Sequence, residues 1–147
     1  MRVRGKLTTF AVVGAVAAML AVTPTAGAET RITPVAGQPG VYTVTGPDAA
    51  IKRYDWCQNG ETCFFSEADG GGIGSGTKAF WRAPCGYSVA PNDFRNRATS
   101  AWNRRNAAAE IFYYPDWTGS MGVIPGGWQG NLAPEDNDGM DSVYVYC

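Results

Sequence analysis

The stretch Cys57–Gly72 reads CQNGETCFFSEADGGG, and its reading decides the fold. Two cysteines bracket a glycine-containing turn, two aromatics follow at once, and a polar run ends in three consecutive glycines. A near-echo, IFYYPDWTG, occupies Ile111–Gly119, where Tyr113 and Gly119 repeat the spacing of Phe65 and Gly71. An aromatic strand running twice into a glycine-closed hairpin marks a duplicated β unit. Within the first copy, Cys63–Ser66 reads as a strand whose Phe64 and Phe65 point to opposite faces, one into the core and the other beneath the hairpin. Gly70–Gly76 holds five glycines in seven residues, enough for positive φ wherever the turn needs it. It is not a phosphate cradle, because neither a Lys-Ser/Thr pair nor a helix-forming segment follows.

A second repeated feature flanks the hairpins. Asn96–Trp102 (NRATSAW) and Asp138–Tyr144 (DGMDSVY) are polar turns, each delivering a serine and then a short strand with an aromatic. Further strands are expected at Val41–Thr45, Lys78–Arg82, Ile111–Tyr114, Met121–Ile124 and Ser142–Tyr146, with Pro125–Pro134 as a Pro/Gly-rich loop. Glu29–Gln38 reads as a loose leader and Asp48–Trp56 as a short strand leading to Cys57. Short strands at roughly ten-residue intervals, with turn signals between them, indicate an all-β sandwich.

Residues 1–28 read as a signal peptide. Arg2, Arg4 and Lys6 precede the apolar run Phe10–Val22, and Ala26-Gly27-Ala28 supplies the small residues of a cleavage site. The run is too short for a stable span, so cleavage before Glu29, export and no membrane association afterwards are expected. Of 12 Lys/Arg and 13 Asp/Glu, those three cations leave with the signal, and the mature chain carries 9 against 13, a net charge of −4. No basic footprint for nucleic acid remains. The remaining 29–147 suit one domain, a leader over 29–55 with one strand and a folded unit over 56–147.

The chain contains no histidine, which removes Ser-His-Asp and Cys-His machinery and histidine-ligated zinc. Carboxylate chemistry needs two acids flanking a cleft, whereas Glu61, Glu67, Asp69, Glu110 and Asp116 stand mostly in glycine-rich turns. No catalytic residue is assigned and no enzyme activity is expected. Four cysteines, Cys57, Cys63, Cys85 and Cys147, fit two disulfides in an oxidising compartment, and three pairings are open.

The duplicated aromatic-x5-Gly hairpins and the two Ser turns resemble βγ-crystallin Greek keys. The C-x2-G-x2-C start with its two aromatics resembles the secreted, βγ-crystallin-like peptidase inhibitors of family I36, the metalloproteinase-inhibitor type, and the resemblance covers Trp56–Cys147. It implies a disulfide-bonded sandwich of two intercalated Greek-key motifs, with Cys57 joined to Cys63 and Cys85 to Cys147. It implies that Phe65 and Tyr113 cover the hairpins and that Trp102, Trp117 and Tyr144 fill or cap the core. The partner it implies is a secreted peptidase, a zinc metalloprotease, met by a monomer that requires no cofactor. Gln58–Thr62, Gly70–Thr77 and Pro125–Pro134 are candidate reactive loops, and the sequence does not choose among them.

In βγ-crystallins such polar turns often bind calcium, which takes six to eight oxygen ligands. The first turn here, Arg95–Ser100, begins with a cation in place of an oxygen ligand. The second offers Asn137, Asp138, Asp141 and Ser142 as candidate calcium ligands. Two further readings therefore stand beside inhibition. One is a calcium-binding stability module. The other is a toxin-like cell-surface binder using an exposed Trp117 or Trp128.

Overall fold

The computed structural model describes residues 29–46, 54–71 and 78–147. Residues 1–28, where a signal peptide is expected, residues 47–53 and residues 72–77, which hold most of the expected glycine turn, lie outside the described residues. Ten strands are described: β1 (Arg31–Pro34), β2 (Val41–Thr45), β3 (Thr62–Phe65), β4 (Lys78–Ala83), β5 (Gly86–Val89), β6 (Ser100–Asn103), β7 (Ala109–Phe112), β8 (Ser120–Ile124), β9 (Gln129–Asn131) and β10 (Ser142–Val145). All pairings between them are antiparallel, in one sheet ordered β1-β2-β4-β3-β6-β9 and another ordered β5-β10-β7-β8.

That order reveals the duplication. Strands β3–β6 form one unit and β7–β10 the other. Each sheet holds the first, second and fourth strands of one unit and the third strand of the other: β9 pairs with β6, and β5 with β10. The two units are thus intercalated Greek keys, and neither can complete its sheet alone.

Alternation along the strands creates two cores. Phe64 faces between the sheets and packs with Trp81, Phe94, Ile111, Ile124, Met140, Val143 and Val145. Phe65 points the other way, into a second cluster on the outer face of the first sheet with Val44, Trp56, Cys57, Cys63 and Phe80, flanked by Tyr42, Tyr54 and Trp102. Both phenylalanines are fully buried. Each such side chain stabilises the fold by about 1.5–3 kcal/mol.

The units are joined by a buried polar knot. Asn103 accepts at Oδ1 from the Thr62 hydroxyl (2.9 Å) and the Arg105 N–H (3.2 Å), and its Nδ2 donates to the Ala107, Ile124 and Pro125 carbonyls. With these bonds the fully buried amide is satisfied on both sides. Nothing in the sequence pattern singled Asn103 out.

Several expectations are corrected. The leader is not loose: Arg31–Pro34 pairs with β2, which in turn extends the first sheet beside β4. The described end of Asp48–Trp56 is a 3-10 turn over Tyr54–Trp56, not a strand. Gln129–Asn131, placed in a loop, is a sheet strand, and Gly86–Val89 is a strand that had not been expected. Trp102 does cap the second cluster. Trp117, 39% exposed, and Tyr144 instead lie outside both cores.

The alignment of Phe65 with Tyr113 is one residue out. In register, Phe65 opposes Ser100 and Phe112 opposes Ser142, and the β7–β8 ladder shifts between Ile111 and Phe112. The second hairpin therefore holds an extra residue. The ring lying on Gly119 is that of Tyr114, 3.0 Å from where a β-carbon would stand. Tyr113 instead donates its hydroxyl to Asp136 Oδ1 (2.8 Å).

Candidate functional site

The disulfide loop Cys57–Cys63 is the candidate site. It emerges from the Tyr54–Trp56 turn and runs directly into β3, with its two Cα atoms 5.8 Å apart. The second disulfide joins Cys85, between β4 and β5, to the terminal Cys147. Within the loop, the Glu61 N–H bonds the Gln58 carbonyl (3.1 Å), which makes Gln58–Glu61 a β-turn. Gly60 at its third position has φ of 79° while Asn59 is not in the left-handed region, the combination of a type II turn.

The loop is anchored from both sides. Gly60 N–H donates to the Arg104 carbonyl (3.1 Å), and Arg104 N–H to the Glu61 carbonyl (2.8 Å). Arg104 Nη1 reaches the Cys57 carbonyl (2.7 Å), and its guanidinium lies 4.1 Å from the Trp102 ring centre. Glu61 accepts from the Gln58 N–H (2.8 Å) and forms an ion pair with Arg82 (3.0 Å), whose Nη2 also donates to the Trp56 carbonyl. Only Gln58, Asn59 and Gly60 are exposed, so a rigid frame presents a three-residue tip.

The other candidate loops present themselves differently. Gly70 and Gly71 are buried, and residues beyond Gly71 in that loop are outside the described set. Pro125–Trp128 closes a turn lying against residues 105–106, where a β-carbon on Gly126 would meet the Asn106 carbonyl at 2.5 Å. The chain then continues as β9.

The two Ser turns pin the hairpins. Ser100 Oγ donates to the Glu67 carbonyl (2.7 Å) and accepts from the Gly70 N–H (3.0 Å), and Ser142 Oγ donates to the Tyr114 carbonyl. Asp69 and Trp117 in the hairpins, and Asn96 and Asp138 in the turns, occupy matching left-handed positions. The four candidate calcium ligands hold different partners. Asp138 bonds across to the first turn, its N–H to the Ala98 carbonyl (3.1 Å) and its Oδ1 to the Thr99 hydroxyl (3.3 Å). Asp141 donates its N–H to the Phe112 carbonyl (2.9 Å), and its enclosed Oδ1 has no hydrogen-bond partner. Asn137 caps the tight Ala133–Asn137 turn, and the Ser142 hydroxyl is engaged on its hairpin.

Among the described residues, the acid and cysteine atoms that converge are those of Cys57, Glu61 and Cys63. Both sulfurs there are committed to a disulfide, so no thiolate is offered to a metal. Hydrogen bonding from Thr118 lowers the pKa of Asp116, and the bond to the Asp136 carboxylate raises that of Tyr113.

The model of the peptidase inhibitor family I36 matches residues 50–124, just over half of the chain, including the clamped loop and both hairpins. This chain belongs to peptidase inhibitor family I36. Membership supports an inhibitory, non-enzymatic role with a peptidase as partner. No curated protein matches the chain in sequence. Among solved structures, the I36 chain is similar to a βγ-crystallin domain from Clostridium beijerinckii, at 17% identity and a TM-score of 0.48, over 58% of this chain and 97% of that one.

Proposed function

We propose that the mature I36 chain, exported and cleaved before Glu29, inhibits an extracellular zinc metallopeptidase by presenting the Gln58–Thr62 loop to its cleft. The observation that carries this reading is the anchoring of that loop: a disulfide across its base, backbone bonds on both sides and two arginines underneath. A loop already held in one conformation loses little freedom on binding, so more of its contact energy appears as affinity. The disulfide also keeps the two sides of the tip together if the peptide bond within it is cut. The test is a titration of mature protein, residues 29–147, into a thermolysin-like enzyme. Activity is expected to fall to zero near one equivalent, and unchanged activity at micromolar excess discards the proposal.

A second reading, calcium at the Ser turns, is favoured by one observation, the enclosed and unpaired Asp141 Oδ1. An oxygen of this kind is costly unless a donor or cation reaches it.

A further inference from the structure

The duplication allows the outer faces of the two sheets to be compared directly. On the first sheet the face is roofed by the chain itself: Tyr54 and Trp56 lie over Phe65 and Phe80, which are fully buried. A guanidinium completes that face. Arg82 sits 4.4 Å from the Tyr42 ring centre and 5.3 Å from that of Phe80, paired with Glu61. On the second sheet, register places Tyr87, Tyr144, Glu110 and Val123 in one row across four strands. This row is open: Tyr87 is 63% and Val123 59% exposed. The segment leading into β7 provides no roof, because the Asn103 knot holds it at the end of the sheet.

The open face is nevertheless ordered. Tyr87 packs on Tyr144 (4.3 Å between ring centres) and on Trp117 (4.9 Å), and Tyr144 on Tyr146 (4.5 Å). Glu110 is fixed in the row by the Ser120 hydroxyl (2.8 Å). The face thus repeats two parts of its sealed counterpart, rings and a carboxylate. The third part is missing, since among the described residues the guanidinium–ring stacks are those of Arg82 and Arg104, on rings of the first sheet. The ladder also reaches the candidate loop, because Tyr146 and Gly60 line one groove of about 370 Å3 together with Arg104 and Arg105. The cation-receiving part of the face is therefore the Tyr87–Tyr144–Glu110 row rather than this groove.

We infer that this aromatic face is a second docking surface, which receives an arginine- or lysine-bearing patch of the same peptidase whose cleft takes the clamped loop. The inference rests on the inhibitor reading. Its chemistry is a cation over tyrosine and tryptophan faces beside a carboxylate, from residue types that dominate binding at protein interfaces.

The experiment has two arms, using isotope-labelled mature protein. In the first, an acetylated hexapeptide of alternating glycine and arginine is titrated in, with the glycine–glutamate peptide and a chitin hexasaccharide as controls. Resonances of Tyr87, Tyr144 and the Trp117 indole are expected to move with the arginine peptide alone, and less in Glu110→Gln. No movement, or equal movement with either control, overturns the inference. In the second arm, Tyr87→Ser and Tyr144→Ser are compared with wild type, after confirming unchanged melting temperature, against the most strongly inhibited member of a peptidase panel. Inhibition is expected to weaken about 10–100-fold, chiefly through faster dissociation. An inhibited peptidase indifferent to both substitutions refutes the docking face alone. A panel with no inhibited peptidase removes the inhibitor reading, and the assigned occupant falls with it.

Discussion

Replacing Ser100 by alanine should damage this fold more than the same change at its duplicate, Ser142. Ser100 is fully buried, and its hydroxyl serves two groups of the first hairpin, the Glu67 carbonyl and the buried Gly70 N–H. Alanine leaves that N–H without a partner, at about 1–3 kcal/mol, and removes a second bond with a net value of about 0.5–1.5 kcal/mol. The expected loss is therefore about 2–4 kcal/mol. Ser142 is just as buried, but its hydroxyl makes one bond, to the Tyr114 carbonyl, and among the described residues serves no N–H. Its replacement should cost only about 0.5–1.5 kcal/mol. Urea unfolding followed by tryptophan fluorescence separates the two. With a slope of about 2 kcal/mol per molar, S100A should lower the midpoint by about 1–2 M at unchanged slope. The reasoning fails if S100A lies within 0.5 kcal/mol of wild type, or if S142A is the more harmful.

Replacing Cys85 and Cys147 by serine frees a loop with a sequence separation of 62, against 6 for Cys57–Cys63. By loop-closure entropy the losses should be about 4 and 2 kcal/mol, which calorimetry of the two double variants will rank. Tyr113 should ionise above the ordinary value of 10.0 because its neutral hydroxyl donates to Asp136, and ultraviolet titration should show Asp136→Asn lowering it. A raised folded-state value means that this stabilisation is complete below pH 10 and is lost as pH rises through the folded pKa, so the variant should resist alkali no worse than wild type. If the Ser turns take calcium, titration calorimetry should give heat and a rise in melting temperature, both reduced in Asp141→Asn. Absence of both ends that reading.

Much of the architecture was legible because it is written twice. The hairpin spacing, the Ser turns and the β-branched run Val41–Thr45 identified a duplicated all-β chain. The exchanged strands were not legible. Gly86–Val89 and Gln129–Asn131 are short and lack apolar alternation, and what makes them strands is an edge supplied by the other unit. Arg31–Pro34 escaped notice for a similar reason, since it is exposed throughout and stays extended only by pairing with β2. The one-residue slip at Tyr113 came from matching aromatics by type, when the ladder shift at Ile111–Phe112 decides which ring faces the hairpin. At the candidate site, the cysteine frame was visible in sequence. Its choice over the other loops was not, because Arg82 and Arg104 arrive from distant strands to hold it.

The most direct test of the account is the inhibition constant of mature protein against a secreted zinc peptidase, measured beside a Gln58→Asp, Asn59→Asp double variant. Both changes sit on the exposed tip and leave the disulfide, Glu61 and the two arginines in place. The account predicts tight inhibition by the wild type, weakened at least about tenfold in the variant at unchanged melting temperature. Equal inhibition by the two proteins would contradict it.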